Sequence, residues 1–190
     1  MRLSLRAGLM LAISVCLSGC YFDQPLTKTP SKNLNSWLLG VWEHKDERGR
    51  ISRAMISPLD ISRYTIQLTM PGKKPRQVLR YEFEAWPSRV GDSLFLTMLC
   101  TRSDGDVPVG AYVFAHPQLL NQNKLRIRIL QLDVDPAETS YHLRQAVRQK
   151  LKDGTLYEPK LFTDWTRVEE VTWGADGSSE AFRPIRNPTL

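Results

Sequence analysis

The chain has 190 residues and a mass of 21.8 kDa, which suits one domain of ordinary size. Hydrophobic residues make up 42% of it and charged residues 24%, so the composition excludes a disordered chain. No apolar run approaches the roughly 20 residues that a membrane-spanning helix requires. The formal net charge of +6 favours acidic or anionic partners over basic ones.

Residues 1–19 are predicted to be a secretory signal. Arg2 and Arg6 form a short positive region, and the mostly apolar stretch Ala7–Leu17 follows. That stretch is too short to span a bilayer as a permanent helix and is typical of a secretory signal. An uncleaved anchor is the alternative interpretation.

The sequence Leu17-Ser18-Gly19-Cys20 resembles the lipobox of bacterial lipoproteins. The resemblance implies that the Cys20 thiol takes a diacylglyceryl group, that the chain is cleaved just before it, and that the new amine is acylated. Two or more acyl chains hold a protein firmly to a membrane. Residue 21 is Tyr and not Asp, which by resemblance to Gram-negative lipoproteins favours the outer membrane, facing the periplasm. The alternative is an ordinary cleaved signal with Cys20 incidental.

The cysteines leave no intramolecular disulfide after this processing. Cys16 departs with the signal and Cys20 becomes a thioether, so Cys100 is the remaining thiol. Cys100 ends the apolar run Leu94–Cys100 and is predicted to be a small buried hydrophobe rather than a nucleophile.

Four regions are predicted: the signal at 1–19, a lipidated tether at 20–36, a β domain at 37–173 and a flexible tail at 174–190. The tether is expected to be extended because it contains Pro25, Pro30 and many polar residues. Within the β domain, apolar and polar residues alternate in eight short segments separated by turn residues. The predicted strands are Val41–Glu47, Ile51–Ser57, Tyr64–Met70, Val78–Trp86, Leu94–Thr101, Val109–Ala115, Lys124–Asp133 and Phe162–Trp173.

One segment, Ala137–Lys152, has helical spacing. Thr139 or Ser140 can act as its N-cap, and Gly154 stands where a left-handed C-cap favours glycine. Eight strands joined by hairpins indicate an antiparallel barrel or sandwich, with the helix covering part of it.

The sequence Gly40-Val41-Trp42 resembles the Gly-x-Trp motif of lipocalin-like (calycin) barrels. The resemblance implies that Trp42 closes the barrel floor and that Arg167 from the last strand stacks on it. The predicted helix precedes the last strand, whereas the main helix of secreted lipocalins follows the barrel. The chain therefore looks more similar to lipocalin-like domains of bacterial lipoproteins of undefined function. We expect a mainly β fold, an antiparallel eight-stranded lipocalin-like barrel; a core tryptophan in another β fold is the alternative.

No catalytic motif is present, so we expect no enzyme activity, no catalytic residue and no cofactor. His44, His116 and His142 lack the spacing of a zinc site, and there is no phosphate loop or nucleophile elbow. Two acidic pairs lack an EF-hand pattern, and no metal site is expected. These pairs are Asp104 with Asp106 and Asp133 with Asp135.

The basic residues form two clusters, one around a hairpin and one along the helix. These clusters are Lys73, Lys74, Arg76 and Arg80, and Arg144, Arg148 and Lys152. They could meet anionic lipid headgroups, lipopolysaccharide phosphates or an acidic envelope protein, or they could form an ordinary solvated surface. Nucleic acid is not an expected partner of an exported domain.

Two functions are carried forward: a non-enzymatic envelope interaction or accessory protein, and a carrier of a small apolar or amphipathic ligand. An eight-stranded barrel is either filled by its side chains or able to hold one small ligand. Because the expected inward residues are bulky, a filled interior is predicted, and this favours the accessory protein. The expected inward residues are Ile66, Leu68, Tyr81, Phe83, Leu96 and Met98.

Overall fold

A computed structural model of the protein describes residues 21–157, 162–170 and 183–184. The predicted signal, the predicted acylation site Cys20 and most of the predicted tail lie outside the described residues. The model contains a closed antiparallel β-barrel, as predicted.

Each strand pairs antiparallel with the next, and β1 pairs with β8 to close the barrel. The strands are β1 Gly40–Lys45, β2 Ile51–Pro58, β3 Tyr64–Pro71, β4 Val78–Val90, β5 Ser93–Ser103, β6 Tyr112–Asn121, β7 Lys124–Ile129, β8 Phe162–Glu170 and the short β9 Arg183–Pro184. The single α-helix in the described ranges, α1 Ser140–Asp153, precedes β8, so the eight-stranded fold class is confirmed.

Several predicted strand bounds need correction. Val109 lies before β6 because Gly110, at φ +89°, turns the chain and donates its N–H to the carbonyl of Cys100. β7 ends at Ile129 rather than Asp133. Leu130 donates one more hydrogen bond to the carbonyl of Phe114, and Leu130 and Leu132 are buried in the core beneath α1. Predicted residues 171–173 of the last strand lie outside the described ranges.

The two ends of the barrel differ, and we call them the mouth and the floor. The mouth carries the connections 46–50, 72–77 and 104–111, which join β1 to β2, β3 to β4 and β5 to β6. β7 also ends, and β8 begins, at the mouth. The floor carries the opposite connections and the 3-10 turn Ser36–Leu38.

Trp42 is fully buried at the floor, with its indole N–H donating to the carbonyl of Leu38 at 2.9 Å. The guanidinium of Arg167 lies over the Trp42 ring, 4.5 Å from its centroid, and also donates to the carbonyl of Trp37. The predicted contact between Trp42 and Arg167 is therefore confirmed.

Helix α1 packs on the outside of the barrel. Thr139 is its N-cap and accepts from the N–H of His142, while Gly154 adopts the left-handed conformation at φ +68°. Leu143 and Val147 face a second core formed with outward residues of the strands. The existence of the helix, its caps and its apolar stripe are confirmed, but the helix begins at Ser140 rather than at the predicted Ala137, because Thr139 caps it.

The predicted extended tether is wrong for residues 22–31. Phe22 exchanges two backbone hydrogen bonds with Tyr112, at 2.8 and 2.7 Å, and its ring stacks on Phe114 with centroids 4.7 Å apart. Leu26 is also fully buried, and its carbonyl accepts from Arg144 at 2.8 Å. The segment packs because its two large apolar side chains fill the space between α1 and the barrel.

Candidate functional site

A cavity of about 310 Å³ lies inside the barrel, so the prediction of a filled interior is wrong. All of its lining residues are apolar. They are Trp42, Ala54, Ile56, Ile66, Leu68, Met70, Phe83, Leu96, Met98, Ala115, Leu125, Ile127, Ile129 and Trp165. Five of the six residues expected to face inward line it, and Tyr81 belongs to the surrounding core instead.

The cavity exists because small side chains stand among the large ones. Ala54 and Ala115 are buried, line the cavity and contribute only a methyl group each. Strand alternation predicts which residues point inward, but the volume that remains depends on the size of residues across the whole barrel. Because the residues expected to face inward were all bulky, the cavity was not predicted.

The cavity is closed at the floor and reaches the surface at the mouth. Trp42 and the 3-10 turn cover the floor. At the other end Met70 lines the cavity and is nonetheless 38% exposed. Met70 also lines an outer groove of about 520 Å³ along the hairpin 72–77. Met70 therefore lies between the cavity and the outer groove, and its flexible side chain is suited to move aside for a ligand.

The hairpin 72–77 carries Lys73, Lys74 and Arg76, all exposed to solvent. Lys73 forms an ion pair with Asp106 at 3.5 Å, and the Lys73 side chain is 88% exposed, so water screens that pair strongly. Arg80 is exposed two residues beyond the start of β4. The predicted hairpin cluster is therefore a basic surface beside the mouth.

The helix cluster lies elsewhere. Arg144 hydrogen-bonds the N-terminal segment, and Arg148 and Lys152 line a groove with residues 90–93 at the floor end. The structure thus separates the two predicted basic clusters rather than joining them into one face.

Cys100 is buried, as predicted, and its thiol donates to the carbonyl of Arg102 at 3.3 Å. Burial raises the pKa of the Cys100 thiol, which disfavours the thiolate.

The three histidines lie in separate environments. His44 contacts the carbonyl of Asp164 at 2.9 Å, and His142 pairs with Glu138 at 2.6 Å on α1. Across the described residues no group of three or more His, Cys, Asp or Glu side chains could hold a metal ion. Within the same ranges, no helix has the length and apolar character to cross a bilayer.

His116 forms a cluster that the sequence analysis missed. Its Nδ1 atom hydrogen-bonds the hydroxyl of Tyr157, and Arg128 lies over the Tyr157 ring, 5.0 Å from the centroid. Burial, and then the charge of Arg128, lower the pKa of His116. Because the three residues come from β6, β7 and the chain after α1, no local pattern links them.

No protein-family model matches the chain, and neither a curated protein nor a solved structure matches it.

Proposed function

We propose that the protein is a non-enzymatic, lipid-anchored protein of the cell envelope whose barrel holds a small apolar or amphipathic ligand. The cavity of about 310 Å³ with its wholly apolar lining is the observation that supports this proposal. The cavity favours the carrier, whereas the sequence alone favoured the accessory protein.

The size and chemistry of the cavity indicate the ligand class. Cavities of about 150 Å³ lined by apolar residues stay dry and bind benzene, so this cavity has room for a two-ring or short-chain compound. The buried part of the ligand must be apolar because the lining side chains offer it no charged partner. A polar group of the ligand could remain in water where the cavity reaches the surface at Met70.

The proposed anchor is the acylated Cys20. Its support is the order of positive residues, apolar stretch and Ser-Gly-Cys in the first twenty residues. We propose the outer membrane, facing the periplasm, because Tyr21 follows the cysteine.

Bromonaphthalene is a suitable probe of the cavity because bromine quenches tryptophan fluorescence at close range. Trp165 lines the cavity, whereas Trp86 packs on the outer face against Tyr112. We expect saturable quenching of the full chain that is retained in Trp86→Phe and reduced in Trp165→Phe, where the remaining quenching comes from Trp42, which also lines the cavity.

A cavity-filling variant provides an independent check. Ala115→Leu should lower the affinity for bromonaphthalene at least tenfold, and Ala146→Leu on α1 is the matched control that should leave it unchanged. Quenching that does not saturate, or that is equal in the two tryptophan variants, would reject the carrier function.

An accessory role at the envelope is the second candidate. The exposed basic hairpin 72–77 favours it, because three cations without an acidic residue among them form a surface suited to an anionic partner.

A further inference from the structure

We propose that the mouth of the barrel docks on an anionic lipid bilayer, with the hairpin 72–77 as the main contact. Three observations support this inference: the position of the hairpin, the exposed side chains around it, and the place where the N-terminal segment joins the barrel. The choice of the mouth over the floor rests on the proposed acylation at Cys20.

The N-terminal segment reaches the barrel at the mouth. Phe22 pairs with Tyr112, directly after the mouth connection 104–111. Tyr21 contacts the interior core, while Phe22 lies in the outer core beneath α1, so the chain crosses the barrel rim between them. Because residue 20 is covalently joined to Tyr21, acyl chains on Cys20 would leave the domain from this end.

The mouth connections are held together as one surface. The Asp104 N–H donates to the carbonyl of Arg80 at 2.9 Å, and Lys73 lies 3.5 Å from Asp106. Both contacts join the connection 104–111 to the β3–β4 hairpin. The backbone hydrogen bond holds the connection 104–111 against the start of β4, next to the basic hairpin, whereas water screens the exposed Lys73–Asp106 pair.

The hairpin 72–77 is the part of the mouth that would contact anionic lipid. It contributes three cations, and an anionic surface attracts each cation close to it by about a factor of five in affinity. The floor end also exposes cations, among them Arg89, Arg148 and Lys152, so the number of cations does not distinguish the two ends. The position of the N-terminal segment does.

Apolar side chains at the mouth could enter the headgroup region. Ile51 and Val78 begin β2 and β4, and each is more than half exposed, as is Val109 in the connection 104–111. The floor also exposes apolar residues, so they do not distinguish the two ends. These floor residues are Leu59, Ile61, Leu119 and Leu120.

Docking at the mouth would place the cavity opening against the lipids. Met70, the exposed residue of the cavity lining, precedes the hairpin 72–77 by two residues. An apolar ligand could then pass between bilayer and cavity without crossing water, which lowers the cost of transfer.

Tryptophan quenching by brominated lipids reports which end meets the membrane. The protein is purified from membranes as the natural product and reconstituted in vesicles containing phosphatidylglycerol, and its mass reports whether Cys20 is acylated. We expect added quenching for Val78→Trp at the mouth and none for Leu119→Trp at the floor, each measured against the unmutated chain. In vesicles of phosphatidylcholine alone the Val78→Trp signal should fall.

Two triple variants with the same charge change test the hairpin. Lys73→Gln with Lys74→Gln and Arg76→Asn should lower the docking equilibrium about a hundredfold, because three surface cations are lost. Arg89→Gln with Arg148→Gln and Lys152→Gln is the control and should retain docking. Asn is used at position 76 because Arg76 has a φ of +61°, which Asn tolerates.

Two results would overturn the docking proposal: equal quenching at positions 78 and 119, or an equal loss in the two triple variants. A chain without acyl groups that still shows quenching at position 78 would support docking while rejecting the anchor. The bromonaphthalene assay reports the cavity separately, so a failure of the proposed function can be told apart from a failure of docking.

Discussion

Arg167 and Trp42 join the two ends of the barrel sheet at the floor, with the guanidinium 4.5 Å from the centre of the indole ring. The same guanidinium reaches the carbonyl of Trp37, in the turn before β1. One side chain from β8 therefore secures both the first strand and the turn that closes the floor. Loss of either partner should open the barrel where it is otherwise sealed.

Trp42→Ala should lower the free energy of unfolding by about 3–5 kcal/mol, because it removes a fully buried indole and leaves a cavity at the floor. Denaturant unfolding measures this loss. Arg126→Met is a suitable control, since its ion pair with Asp164 is exposed and should contribute no more than about 1 kcal/mol. A loss below about 1 kcal/mol for Trp42→Ala would contradict its role as a floor residue.

Phe22→Ala should also lower the free energy of unfolding by about 3–5 kcal/mol, because the Phe22 ring is fully buried and stacked on Phe114. Tyr141→Ala removes a mostly exposed ring from α1 and should change stability by no more than about 0.5 kcal/mol. If the two variants unfold at the same denaturant concentration, the segment 22–31 is a free tether after all.

Stability should fall as the pH drops through about 6.5, the value at which a histidine in the unfolded chain is half-protonated. The pKa of His116 is lowered in the folded state, so protonation favours the unfolded chain and the stabilising contribution is lost as pH falls. His116→Gln should remove this slope of unfolding free energy against pH between about pH 7 and 5.5. His142→Gln, which changes an exposed imidazole on α1, should leave the slope in place.

A second loss of stability should occur at much lower pH. The backbone N–H of Ser62, opposed by partial burial and aided by Arg63, lowers the pKa of Asp60 to about 2. A lowered carboxyl pKa stabilises the fold above the unfolded value, and this contribution is lost as pH falls from about 4 to about 2. Asp60→Asn should abolish that part of the acid transition, as measured by circular dichroism.

Cys20→Ala should abolish incorporation of radiolabelled palmitate, because the resemblance to the lipobox assigns the acyl chains to that sulfur and to the amine exposed beside it. Cys16→Ala removes a thiol within the predicted signal and should keep the label. Palmitate retained by the Cys20 variant would show that the anchor has another site or does not exist.

Most of the fold could be predicted from two local patterns: the alternation of apolar and polar residues in the strands, and the spacing and cap residues of the helix. Ile66, Phe83 and Met98 point inward as their period of two requires, and Gly154 ends α1 at the predicted position. These features depend on local spacing, which a sequence displays directly.

The features that were missed depend on distant partners. Phe22 lies in a Pro- and Thr-containing stretch that is typical of a linker, and its partner Phe114 is far away in the chain. The cavity likewise results from Ala54 and Ala115 on separate strands. The volume of a cavity depends on three-dimensional packing and does not appear as a periodic pattern in the sequence.

The hydrogen bond from Arg167 to Trp37 spans 130 residues of sequence, and β1 cannot complete its ladder until β8 is available. A chain that lacks its C-terminal part would therefore expose an unpaired edge of β1 and the apolar interior of the barrel to solvent. Closure of the barrel is therefore a late event in folding, because it joins strands at opposite ends of the domain.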